Sequence, residues 1–169
     1  MTRRAWLFGA AAGLAALAGV GGALWHDQRR RPEQGWWDRR FATPEGGELA
    51  LADHRGRMLL LNFWATWCPP CVREMPLLDR FHQAQRARGW QVLGLAIDGP
   101  LQVGEFLQRS PVSYPIAIGG ADGMRIVRDL GNAGGGLPYS VLFDRSGRVV
   151  RSHLGELTEA MLAQWARQG

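Results

Sequence analysis

Apolar positions change their period several times along the chain, and each change predicts an element. Residues 58–64 (MLLLNFW) are apolar at all but Asn62 and do not alternate, the pattern of a strand covered on both faces. From residue 69 to about 89, Met75, Leu77, Leu78 and Phe81 stand among charged residues, as on a helix with one buried face. Residues 91–98 (QVLGLAID) read as a second buried strand, 101–109 as a short helix, and 113–118 as extended around Pro115. Residues 124–130 read as helical, stopped by Gly131. Residues 139–144 (YSVLFD) and 148–153 (RVVRSH) flank a turn at 145–147 and predict a hairpin. Residues 157–167 close the pattern as an amphipathic helix with Leu157, Met161, Leu162 and Trp165 on its apolar stripe. A short hairpin around Pro44–Gly47, with Leu49 and Leu51 alternating after it, precedes them all. The order is strand, helix, strand, helix, strand, helix, hairpin, helix, which predicts an α/β sandwich.

The N-terminal stretch follows another rule. Residues 5–25 carry no charge over 21 positions, with Trp6 and Trp25 at the two ends. That length suffices to span a bilayer as a helix, and indoles favour its interfaces. Ala16-Leu17-Ala18 also fits a signal peptidase site, so an uncleaved anchor and a cleaved signal both remain open. The expected organisation is an anchor or signal over residues 1–28, a juxtamembrane linker over 29–40, and one domain over 41–169. Trp36 and Trp37 are assigned either to the membrane interface or to a cap on the domain. Charge agrees with this division. Residues 1–34 hold five Arg against Asp27 and Glu33, whereas residues 35–169 hold 15 Arg against 13 acids. The basicity flanks the apolar run rather than forming a face on the domain, which argues against a nucleic-acid partner. An apolar fraction of 46% and a charged fraction of 21% describe an ordinary globular domain.

The chain has two cysteines, Cys68 and Cys71, spaced C-x-x-C where the first buried strand gives way to a helix. The amides and dipole at a helix start favour negative charge, so a thiol there ionises readily, and the thiolate is the nucleophile of disulfide exchange. Pro69 and Pro70 suit the first helical turn, which needs no amide hydrogen. A structural staple closing so small a loop would remove little unfolded-state entropy. Zinc needs four ligands, and haem attachment needs His after the second cysteine, where Val72 stands. Two thiolates with a distant imidazole such as His153 could instead hold copper.

Three separated segments carry a resemblance. Residues 63–71 (FWATWCPPC), the lead-in at 48–57 (ELALADHRGR) and Gly135-Gly136-Leu137-Pro138-Tyr139-Ser140 before a hairpin resemble the TlpA/ResA branch of the thioredoxin superfamily, over about residues 40–168. The resemblance implies a thioredoxin-like α/β fold: a central mixed sheet flanked by helices, with an N-terminal β-hairpin extension and a central insertion. It implies Cys68 as attacking and Cys71 as resolving thiol, with no cofactor or metal. Pro138 is then a cis-proline whose loop, with Leu137, faces the disulfide, and Pro76 interrupts the active-site helix. Trp67, Pro69 and Pro70 would shape the site, while Trp64 would line it or belong to the core. Thioredoxin's buried acid is replaced by Asn62, which leaves Glu74, three residues after Cys71, as candidate proton acceptor; a solvated helix-surface charge is the alternative reading.

The implied activity is a thiol:disulfide oxidoreductase that reduces exported proteins, with apocytochrome c among candidate substrates. A membrane electron donor of the DsbD/CcdA type would resupply it. The expected place is the cell envelope, as a monomer anchored in the cytoplasmic membrane with its domain in the periplasm or outside. A soluble periplasmic form follows if the signal is cleaved, and an oxidase or isomerase is the same chemistry in another direction.

Overall fold

The computed structural model describes residues 35–167. The segment read as an anchor or signal therefore lies outside the described residues. Among those described, no helix is long and apolar enough to cross a membrane.

One mixed sheet of seven strands organises the domain: β1 (Arg40–Ala42), β2 (Glu48–Ala50), β3 (Met58–Trp64), β4 (Trp90–Ala96), β5 (Ile116–Ile118), β6 (Tyr139–Phe143) and β7 (Val149–Leu154). They lie in the order β2-β1-β5-β4-β3-β6-β7. β3, β4 and β5 are parallel, and β6 and β7 add antiparallel strands beyond β3. The expected N-terminal hairpin is β1–β2, joined antiparallel to β5 through Ala42 and Ile118. Among the described residues, four α-helices flank the sheet: α1 (Pro69–Gln85), α2 (Pro100–Arg109), α3 (Gly120–Asp129) and α4 (Glu159–Ala166).

Every residue of β3 is buried, as its unbroken apolarity predicts. Alternate side chains divide between two cores. Leu60 and Trp64 join Met75, Leu78, Val103, Leu162 and Trp165 from α1, α2 and α4. Leu59, Leu61 and Phe63 join Ile126 and Val127 of α3 on the other face. Asn62 shares the parity of Leu60 and Trp64, so this one polar position faces α1.

Three boundaries differ from the sequence reading for physical reasons. α3 begins at Gly120, four residues before the expected start, so its first turn includes two glycines, a residue of low helix propensity. Gly123 serves close packing: a Cβ on it would meet Ile97 Cδ1 at 2.6 Å. The last helix starts at Glu159, with Thr158 Oγ1 accepting from the Met161 N–H, so Leu157 lies before the helix and is still buried. α1 ends at Gln85, and a 3-10 turn over Arg86–Arg88 leads to Gly89 at φ 83°. Trp36 and Trp37, within the stretch read as linker, form a 3-10 turn with Asp38 and are 3% and 7% exposed. Trp36 stacks on Phe143 and Trp37 meets it edge-on, at centroid distances of 5.8 and 5.4 Å. The Trp37 indole N–H donates to the Gly147 carbonyl at 3.2 Å. Of the two places left open for this pair, the structure shows the cap on the domain.

Trp37→Ala should therefore destabilise the domain by about 3–5 kcal/mol, the cost of emptying a buried aromatic site. Urea denaturation checks this, and an unchanged midpoint would mean that the pair is not part of the cooperative core.

Candidate active site

The active-site segment is built on the end of β3. Ile97 N–H donates to the Trp64 carbonyl at 2.9 Å and Cys68 N–H to the Ala65 carbonyl at 3.2 Å, which turns the chain off the strand. Thr66 N–H donates to Asp98 Oδ2 at 2.6 Å, so an acid just past the end of β4 pins this turn. Cys68 is the N-cap of α1. Its backbone is extended (φ −100°, ψ 99°), and Sγ accepts from the Cys71 N–H at 3.4 Å. Pro69 and Pro70 occupy the first helical positions, where the missing amide hydrogens cost nothing.

Cys68 and Cys71 are joined as a disulfide, with Cα atoms 5.3 Å apart. Cys68 is 5% exposed and Cys71 fully buried, so the two sulfurs are not equivalent to a partner in solution. When the bond is reduced, the amide that reaches Cys68 Sγ favours a thiolate there, and the helix start adds positive potential. Trp67, beside the disulfide, is 67% exposed. Trp64, with both readings open, is fully buried and packs on Phe106. Among the described residues, no group of three or more His, Cys, Asp and Glu side chains is gathered to hold a metal. His153 stands on β7, opposite Ser140.

The Leu137–Pro138 peptide is cis. Its loop is held by Asn132, which sequence reasoning did not single out: Nδ2 donates to the Gly136 carbonyl at 2.8 Å and Oδ1 accepts from the Gly135 N–H at 3.1 Å. Gly155 N–H donates to the Pro138 carbonyl at 2.9 Å. β3 and β6 pair directly, with Phe63 opposite Tyr139, so the chain leaving β3 toward Cys68 and the chain entering β6 from Pro138 lie at one edge of the sheet. β7 ends there with Leu154, which is 56% exposed, and α2, which follows β4 in the chain, begins with Pro100 and Leu101, the latter 68% exposed. Trp67, Leu101 and Leu154 are the exposed large hydrophobic residues among those described.

Glu74 is 2% exposed, so it is no solvated surface charge. Asn62 Nδ2 donates to its Oε1 at 2.7 Å and Leu157 N–H to its Oε2 at 2.8 Å. Burial pushes the carboxyl up from the ordinary 4.5 to about 7, the two hydrogen bonds oppose the rise, and the charge of Glu156 adds to it. Outside, Arg73 pairs with Glu156 and ties α1 to the same loop. Ser140 Oγ accepts the second Asn62 hydrogen at 3.0 Å. Asp98, Ser140 and the Leu157 amide were missing from the sequence reading. Only a polar position within an apolar run, as at Ser140, gives any sign of such a partner.

The redoxin family profile matches residues 38–165. Similar curated proteins include the thiol-disulfide oxidoreductase ResA of Bacillus anthracis, 33% identical over 125 residues, which are 73% of this chain and 70% of that one. ResA of Geobacillus thermodenitrificans is 35% identical over 71% of this chain and 67% of its own. Among solved structures, a putative thiol:disulfide interchange protein DsbE from Chlorobium tepidum superposes with a TM-score of 0.66 at 28% identity, covering 78% of this chain and 89% of that one. A thioredoxin-related protein from Neisseria meningitidis serogroup B gives 0.67 at 30% identity, covering 76% and 96%. With a disulfide at the start of α1 and a cis-proline at the same edge, the chain belongs to the redoxin family as a TlpA/ResA-like thiol:disulfide oxidoreductase of the thioredoxin superfamily.

Proposed function

We propose that this oxidoreductase works as a reductase of exported proteins, with apocytochrome c among its substrates in cytochrome c maturation. A membrane carrier of the DsbD/CcdA type returns electrons to Cys68 and Cys71. The observation that carries the direction is the buried Glu74, three residues after Cys71 on α1. An acid that can be charged at neutral pH opposes a further negative charge nearby, so the site does not stabilise the reduced, thiolate form as a strong oxidant does. Pro69 and Pro70 between the cysteines add no positive charge. The exposed Trp67, Leu101 and Leu154 suit an unfolded polypeptide segment with apolar side chains. Export and tethering are supported by the uncharged run over residues 5–25.

In the forward reaction Cys68 thiolate attacks a substrate disulfide and one substrate sulfur leaves as thiolate, giving a mixed disulfide on Cys68. Cys71 then loses its proton to Glu74 and attacks Cys68 Sγ. The Cys68–substrate bond breaks, its electron pair leaves on the second substrate sulfur, and the enzyme is oxidised as the substrate gains two electrons.

The direction is tested by the reduction potential of the dithiol. A value near that of thioredoxin, roughly −270 mV, is expected, and one near −120 mV would make the protein an oxidase. In spheroplasts, Cys68→Ser should be inactive. Cys71→Ser, lacking the resolving thiol, should accumulate mixed disulfides with exported proteins, and external protease should degrade its domain. A protease-shielded domain, or a Cys71→Ser protein that traps nothing, would refute this reading.

Glu74→Gln tests the proton acceptor. Folded Glu74 keeps its proton up to about pH 7, whereas the unfolded chain releases it near 4.5. The folded state thus binds more protons in that window, and stability falls as pH rises from 4.5 to about 7. Glu74→Gln should remove this slope and slow resolution of the mixed disulfide roughly a hundredfold above pH 7. Unaltered rates across pH would leave Glu74 without a part in the chemistry.

A further inference from the structure

We propose that Asn62 is a positioning residue: its side-chain amide favours the ionised form of Glu74 and couples that carboxyl to Ser140, two positions beyond Pro138. The consequence for catalysis rests on the reading of Glu74 as proton acceptor for Cys71. The link between the two side chains does not.

Strand register puts Asn62 opposite Ser140 on one side and opposite Gly94 on the other, so no side chain from β4 competes for its amide. Nδ2 spends both hydrogens, on Glu74 Oε1 at 2.7 Å and on Ser140 Oγ at 3.0 Å. Oδ1 is buried and has no partner. Turned over, the amide would bring Oδ1 against Glu74 Oε1, acceptor against acceptor, unless the acid carried its proton. The observed orientation, a donor facing a carboxyl oxygen, favours the ionised form, because a hydrogen bond given to the charged state stabilises it.

The other groups around Glu74 do not replace this donor. The Leu157 N–H serves the second oxygen. Glu156 on the same loop raises the acid's proton affinity, as burial does. Arg73, the next residue on α1, is turned to Glu156. Cys71 lies one turn back on α1 in the disulfide. Tyr114, before β5, is held protonated above its usual range by burial, with the Glu74 and Asp79 charges adding to the rise. Among the described residues, Asn62 is thus the side-chain donor to this carboxyl. Without it, Glu74 should keep its proton at neutral pH, and Cys71 would lose the group that accepts its own.

The test is Asn62→Leu in the full chain, which keeps the volume and removes the donor. The Glu74 carboxyl is titrated by carbon-13 NMR, and release of a preformed mixed disulfide on Cys68 is followed against pH. The Glu74 midpoint should rise by about one pH unit or more, and release at pH 7 should slow about tenfold. Raising the pH by the same interval should restore the rate, which a merely structural defect would not allow. Should the leucine variant fail to fold, Asn62→Asp keeps the shape. Its two carboxylates should titrate as a pair that retains one proton above the wild-type midpoint. A midpoint that moves while release keeps its wild-type profile supports the Asn62–Glu74 link and removes Glu74 as the acceptor. A midpoint unmoved in the folded variants overturns the proposal.

Discussion

Strand β3 has no solvent face, and the rest of the domain follows from that constraint. All seven of its residues are buried, between β4 and β6 within the sheet and between helices above and below it. A strand so enclosed needs cover from α1, α2 and α4 on one face and from α3 with the Trp36–Trp37 turn on the other. Its carboxyl end then meets the amino end of α1, because a parallel neighbour requires the chain to cross back over the sheet. The disulfide sits at that junction. A helix start is where orphan amides point outward and where a proline costs no hydrogen bond, so the Cys68-Pro69-Pro70-Cys71 segment suits both the chemistry and the backbone.

The same enclosure makes the polar part of the site expensive and therefore specific. Asn62 and Glu74 lie in a core of Leu, Met and Trp side chains, where an uncompensated polar group costs several kcal/mol. What offsets this is a chain of bonds from three separate segments: Asn62 from β3, Ser140 from β6 and the Leu157 amide from the loop before α4. The compensation is incomplete, since Asn62 Oδ1 has no partner and Glu74 still holds its proton near neutral pH. An acid balanced between burial, which favours the neutral form, and two donors, which favour the charged one, can exchange a proton at physiological pH.

Much of this was legible before the structure. The unbroken apolar run announced β3, the switch to helical spacing announced α1, and the C-x-x-C pair placed the chemistry between them. Asn62 stood out because it interrupts the most apolar segment of the domain, and its standing where thioredoxin has an acid pointed to Glu74 as the acceptor, while the burial of Glu74 and its bond to Asn62 came from the structure. The partners supplied by tertiary structure were not legible. The Leu157 amide is a backbone group 83 positions from Glu74, and every residue has one. Asp98 reads as the last residue of a strand but lies two positions past the end of β4, and its bond to Thr66 spans 32 positions. Gly123 fell outside the expected helix over 124–130, because close approach of a helix to Ile97 leaves no local signature. Trp36 and Trp37 carry the composition of a membrane interface and of a core alike, and only the position of Phe143 separates the two.

The loop over residues 155–157 joins these distant partners. It gives one amide to the Pro138 carbonyl and another to Glu74, and Glu156 between them holds Arg73 on α1. The cis-proline loop and the buried acid are therefore fastened to the same short piece of chain. The Leu157 amide and Asn62 act on the carboxyl in the same direction, toward the charged form and against burial. A backbone segment 83 positions from Glu74 thus bears both on the proline loop and on the charge of the acid.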